Sequence, residues 1–213
     1  MGLAIATGHL ADLVRIGETE GIAYFEATLA TVNRLLAAEG LPAHVEPRTE
    51  PPASRCSVGS FPYSTLHYLR RAYAHRVEDP EWVATPLADG EDPTTDDVLE
   101  EQASMMDSHL LCHSDCEGWY VPVDFGEVIF DDGNELPGGM LGSTQRLREE
   151  LAQVASALDI SLDANDQLSD AEAVRLDEIA RGDHPLWREL TAWFALWEAA
   201  RISLASRCAI VFC

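Results

Sequence analysis

The sequence predicts an α+β fold: about six helices packed around a small antiparallel sheet, with a central hairpin over about residues 108–125. Three observations predict it. Apolar residues recur at helical spacing in several separate stretches. Apolar and polar residues alternate with period two around residues 109–125. No repeat of fixed period is visible, which argues against a solenoid. The 213 residues suit a single domain over 1–213 that buries a sizeable core without disulfides or metal.

Gly2 to Ala6 reads as a short strand, and His9 to Arg15 as a helical turn. Over Thr19 to Glu39, Ile22, Phe25, Leu29, Val32 and Leu36 are spaced by 3, 4, 3 and 4, which puts them on one helical face. Gly40 and Pro42 stop that helix. His44 to Pro47 is expected to be a brief strand. Ser60 is expected to cap a helix running to about Arg76, with Leu66, Leu69 and Tyr73 inward and Arg70 and Arg71 on the other face. Residues 78–93 hold Pro80, Pro86, Pro93 and Gly90 and read as a long acidic loop. Thr94 and Asp97 suggest a capped helix to about Met106.

In the centre, Leu110 and Cys112 alternate with His109, Leu111 and His113. After a glycine-containing turn, Trp119, Val121, Val123 and Phe125 alternate with Tyr120, Pro122 and Asp124. That pattern predicts the hairpin, with Pro122 at an edge or bulge. Val128 to Phe130 adds a short strand. Ser143 then caps a helix with Leu147, Leu151, Val154 and Leu158 inward. Ser169-x-x-Glu172 is a capping box, and Gly182 ends the helix it opens. Asp183 is expected to cap the last helix. That helix carries three of the five Trp and is apolar over more than half its circumference, so it is expected to be the core helix. Ala209 to Cys213 reads as a strand.

The net charge of −23 is unevenly placed. Residues 1–76 carry seven Arg and seven acids, and residues 146–213 carry seven Arg and twelve acids. Residues 77–145 carry 18 acids and no Arg, and the whole chain has no Lys. Such a segment repels phosphates, so direct nucleic-acid binding is set aside. It attracts basic proteins or divalent cations. The plainer reading is an acidic surface that serves solubility. No apolar run is long enough to span a membrane, and the N-terminus lacks the basic start and apolar core of a signal peptide. The five cysteines, odd in number and irregular in spacing, form no disulfide framework and are expected to be thiols in a cytoplasmic protein.

Residues 112–117 concentrate the reactive side chains. Cys112, His113 and Cys116 offer nitrogen and sulfur ligands for zinc. Their C-x3-C spacing lacks a second pair, and a hairpin would split Cys112 from His113, so no metal or cofactor is expected. Cys116 with His113 and either Asp115 or Glu117 contains the groups of an activated nucleophile. Neighbouring carboxylates, however, raise a thiol's pKa and oppose thiolate formation. The acids around Asp131-Asp132-Gly133-Asn134 suit turn chemistry better than a calcium loop. The Gly-rich piece before Ser143 lacks the lysine of a phosphate loop.

The stretch HSDCEGWYVPVDF, followed by GGMLGSTQRLREEL, resembles an uncharacterised family of bacterial proteins over about residues 108–158. That resemblance implies no particular activity. In size and charge the chain is also similar to small acidic immunity proteins, which neutralise basic toxins.

Three expectations follow. As a binding module in an immunity-like or regulatory role, the chain would dock a basic protein through 77–145, with Asp115, Glu117, Trp119, Tyr120 and Asp124 at the contact. As a hydrolase-like enzyme it would use His113, Asp115, Cys116 and Glu117. As a purely structural motif, His113 and Asp115 would lock the turn while Trp119 and Tyr120 pack on helices. The sequence carries no signal of oligomeric state.

Overall fold

The structure is a computed structural model that describes residues 2–88 and 90–213. Strand β1 (Leu3–Thr7) opens the chain, followed by α1 (His9–Ile16) and α2 (Thr19–Ala38). Then come β2 (Ser60–Phe61), α3 (Tyr63–Glu78), α4 (Asp97–Ser104) and α5 (His109–Cys112). Strands β3 (Gly118–Val121), β4 (Ile129–Phe130) and β5 (Met140–Ser143) lead into α6 (Thr144–Ala155). Helices α7 (Asp170–Ile179) and α8 (Trp187–Ser206) and strand β6 (Ile210–Phe212) complete the chain.

The strands form one sheet in the order β2-β1-β6-β3-β5-β4. β3 runs parallel to β5, with Tyr120 opposite Gly142, and antiparallel to β6, with Trp119 opposite Val211. Helices cover both faces. Trp119, Val121, Leu141 and Val211 pack with Phe25, Val32 and Leu36 of α2. Tyr120, Ile210 and Phe212 point the other way, into a core shared with α3, α6 and α8. Alternate residues of β3 therefore serve opposite cores, which is why all four are buried. Helix α8 is buried on nearly every side, as its apolar circumference requires. Trp193 stacks on Trp197 at 4.7 Å, and its indole N–H donates to the Leu151 carbonyl at 2.7 Å.

This arrangement corrects the expected fold class. The protein is α+β, but with eight helices among the described residues and a six-stranded mixed sheet rather than about six helices on a small antiparallel one. Period two tells which residues share a face; it carries no information on strand direction. The parallel β3–β5 pair arises because residues 122–139 cross over by way of β4 before β5 enters. The hairpin at 108–125 is absent as well. Residues 109–112 form the single-turn helix α5, with Ser108 as its cap, its hydroxyl accepting from the Leu111 N–H at 3.0 Å. A short, mostly buried run such as His109–Cys112 fits one helical turn as well as a strand.

Smaller expectations also shift. Ser60 pairs with Ala4 in β2 instead of capping α3. Residues 44–47 form no strand; Glu46 is turned inward to accept the Ala209 N–H at 2.8 Å and to pair with His44 Nε2 at 2.6 Å. Leu186, not Asp183, occupies the N-cap of α8, because His184 Nδ1 takes the Leu186 N–H at 3.1 Å and folds the preceding turn. Asp96, not Thr94, caps α4.

Candidate functional site

Helix α5 is too short to be stable alone, and charged groups from two other helices hold its ends. At the N-terminus, the Glu150 carboxylate of α6 accepts from His109 N–H at 2.8 Å and Leu110 N–H at 2.6 Å. Burial raises Glu150 to about 7, with those two bonds opposing the rise. At the C-terminus, Arg70 of α3 donates Nε–H to the Leu110 carbonyl at 3.0 Å, and its Nη2 donates to the His113 carbonyl. Arg70 is buried, not on the outer face of α3. Its position four residues after Leu66 already placed it on the inward stripe. The carbonyls that a helix leaves unpaired explain its partners.

His113 follows directly. Its ring stacks on Tyr120 at 4.2 Å and meets the edge of Phe212 at 4.4 Å. Nδ1–H donates to the Ser114 carbonyl at 2.8 Å, and burial lowers its pKa to about 3. The ring is therefore neutral at physiological pH. Tyr120 donates its hydroxyl to the His109 carbonyl at 2.8 Å. Two glycines make room for this stack. A Cβ on Gly118 would overlap the His113 ring, and one on Gly142 would overlap the Tyr120 ring from the neighbouring strand. The two stretches HSDCEGWY and GGMLGS thus meet across the β3–β5 pair.

The other predicted site residues disperse. Asp115 pairs with His67 of α3 at 3.0 Å. Cys116 is exposed, with Sγ 3.3 Å from the Ser114 hydroxyl, and no hydrogen bond joins it to His113. Glu117 is exposed, and Asp124 pairs with Arg146 at 2.9 Å. Trp119 and Tyr120 are buried, Trp119 against Phe25 at 4.7 Å. Burial raises the pKa of the partly buried Cys112 thiol. Among the described residues, no group of three or more His, Cys, Asp or Glu side chains comes together as a metal site would require. The geometry assembles neither a cysteine–histidine pair nor a surface made of Trp119 and Tyr120.

What the structure does assemble is a charged surface. Within 77–145, Asp96, Asp115, Asp124, Asp131 and Glu135 reach an Arg or His. The other twelve described acids form no salt bridge, and all twelve are exposed. Asp89 lies outside the described residues.

This surface rests on a fixed frame. Asp96 is bonded by Arg71 at 2.7 Å and His75 at 2.9 Å, and it also caps α4 through the Val98 and Leu99 N–H groups. Burial works to raise its pKa, but the bonds from His75, Leu99 and Arg71 hold it below the ordinary carboxylate value. Trp82 stacks on His75 at 5.0 Å, and the Ala84 N–H donates to the Ala157 carbonyl at 2.9 Å, so the acidic loop is tied down at several points. Helix α4 then displays Asp97, Glu100 and Glu101. Asp97 and Glu101 are one turn apart, about 6 Å along the axis. Sequence reasoning found the acids, Asp96 among them, but not the pairings of Asp96, His67, Arg70 and Glu150 with partners far along the chain.

These features define an acidic protein that carries its uncompensated carboxylates on a rigid scaffold. The chain belongs to the family described as "Putative DNA-mimic protein", whose model matches residues 1–212, well beyond the 108–158 stretch. No curated protein and no solved structure matches it. The family corrects the expectation that left nucleic acid out: DNA enters as the molecule imitated, and the partners implied are proteins that bind DNA. No described helix is long and apolar enough to cross a membrane.

Proposed function

We propose that this protein uses the acidic surface of residues 77–145 in place of DNA phosphates and occupies the DNA-binding face of a basic protein. The observation that carries the reading is the set of twelve exposed acids without ionic partners in a segment that contains no Arg. Duplex DNA carries about one charge per 1.7 Å of axis, so twelve carboxylates match the charge of about 20 Å of duplex. The anchoring of the start of α4 to α3 through Asp96 supports it, because preorganised charge binds at less entropic cost than mobile charge. Complementary potentials speed encounter and set register. A partner so occupied loses access to DNA, which gives the chain a regulatory or immunity-like role. We place it in the bacterial cytoplasm, where its five cysteines remain thiols.

The test uses immobilised protein and the DNA-cellulose-binding fraction of a lysate from the source cells. The expected result is a retained protein that excess duplex DNA displaces and that binds more weakly as salt rises. A variant carrying Asp97→Asn, Glu100→Gln and Glu101→Gln should retain it about tenfold less well. A retained protein indifferent to duplex DNA, or equal retention by the variant, would refute the reading.

A further inference from the structure

A cleft of about 360 Å³ opens where α1 and α2 meet the ends of β3 and β6. His9, Tyr24, Phe25, Trp119 and Phe212 line it, together with Glu117. His9 and Phe25 lie 6.0 Å apart and Phe25 and Trp119 4.7 Å apart. Phe25, Trp119 and Phe212 are buried and form the floor, so His9 and Tyr24 are the accessible rings. Tyr24 is 67% exposed. Glu117 is exposed and has no salt bridge, and no Arg lines the cleft.

We infer that this cleft receives an arginine side chain of the partner protein, its guanidinium stacked on the accessible rings and paired with Glu117. The class of partner rests on the proposed DNA mimicry; the cleft rests on its own walls. A guanidinium is planar, weakly hydrated and permanently charged. It therefore stacks on aromatic faces and pairs with carboxylates, while its methylene stem covers apolar surface. The chain itself uses this contact elsewhere. Arg148 lies 5.2 Å from the Trp197 ring centre, and Arg188 lies 4.8 Å from Tyr68 and 4.7 Å from Trp187. The cleft has the aromatic faces and the carboxylate but no guanidinium of its own. Glu117 also belongs to the segment without Arg, whose negative potential favours a cationic guest over a neutral or anionic one.

The probe is N-acetyl-arginine amide, titrated into ¹⁵N-labelled protein, with N-acetyl-citrulline amide as the neutral planar control. The arginine probe should produce saturable shifts at the Trp119 indole and the Gly21 amide, and citrulline should bind about tenfold more weakly. Glu117→Gln and Tyr24→Ala, both at exposed positions, should each weaken the arginine probe by about the same factor without disturbing distant signals. The Asp97/Glu100/Glu101 variant should bind it like the unmodified protein. Equal response to citrulline, absence of saturation, or indifference to Glu117→Gln would overturn the cleft assignment. If the unmodified protein still captures a DNA-displaceable partner in that case, the mimicry reading stands and only the cleft fails. Arginine binding without any DNA-displaceable partner would leave the cleft and sink the mimicry.

Discussion

The imidazole of His113 lies parallel to the phenol of Tyr120, their centres 4.2 Å apart and their planes 8° from parallel. The pair joins the turn after α5 to the central strand β3. It also keeps the His113 ring buried in the core and hydrogen-bonded to its own turn, with no hydrogen bond to Cys116.

This stack predicts an acid sensitivity. His113 is depressed to about 3, against 6.5 for an ordinary histidine. Its contribution to stability is complete above 6.5 and is lost as pH falls toward 3, at about 1.4 kcal/mol per pH unit. His113→Phe retains an aromatic ring and removes the titration. Denaturant melts between pH 6.5 and 5 should show a shallower loss in the variant, and parallel curves would refute the assignment.

Glu150 acts with the opposite sign. Its pKa is raised from 4.5 to about 7, so its contribution is complete below 4.5 and is lost as pH rises through 7. Glu150→Gln should abolish that loss, leaving stability flatter between pH 5 and 8. An unchanged profile would show that the carboxylate is more solvated than its burial implies.

Arg70 should be worth more than its charge suggests. Arg70→Leu leaves the Leu110 and His113 carbonyls buried without donors, a cost of about 2–3 kcal/mol. Arg70→Lys should restore only part of it, because one ammonium lacks the planar fork that reaches both acceptors. Chemical denaturation with an unchanged slope is the measurement, and a neutral Arg70→Leu would contradict the account.

Met106 offers a gain. It follows α4 with φ of 60° and is exposed, in a position where glycine is the usual residue. Met106→Gly relieves a left-handed side-chain clash of about 1 kcal/mol and should raise the melting temperature by about 2–4 °C. A lower melting temperature would mean that the methionine makes compensating contacts.

Much of the helical layer was legible from local pattern. Helix α2 follows from its 3-4-3-4 spacing, Ser143 and Ser169 cap the helices they were expected to cap, and the Trp-rich α8 is buried as its apolar circumference requires. The terminal runs around Ala4 and Val211 were read as strands and are strands. The site was half legible. The absence of Arg between 77 and 145 is plain in the chain, and Arg70 sat on the stripe of Leu66, a signal that the presence of a charge concealed.

By itself, the sequence determined the main amphipathic faces, the Ser143 and Ser169 caps and the concentration of negative charge, because each depends on residues only a few positions apart. Tertiary structure alone decided the order and direction of the strands, with β6 inserted between β1 and β3, and the folding of residues 109–112 as a helical turn. It also decided which acids remained free. Neutralisation of a carboxylate depends on which Arg or His the fold brings within about 3 Å, and the partners of Asp96 and Asp115 lie 21 to 48 residues away.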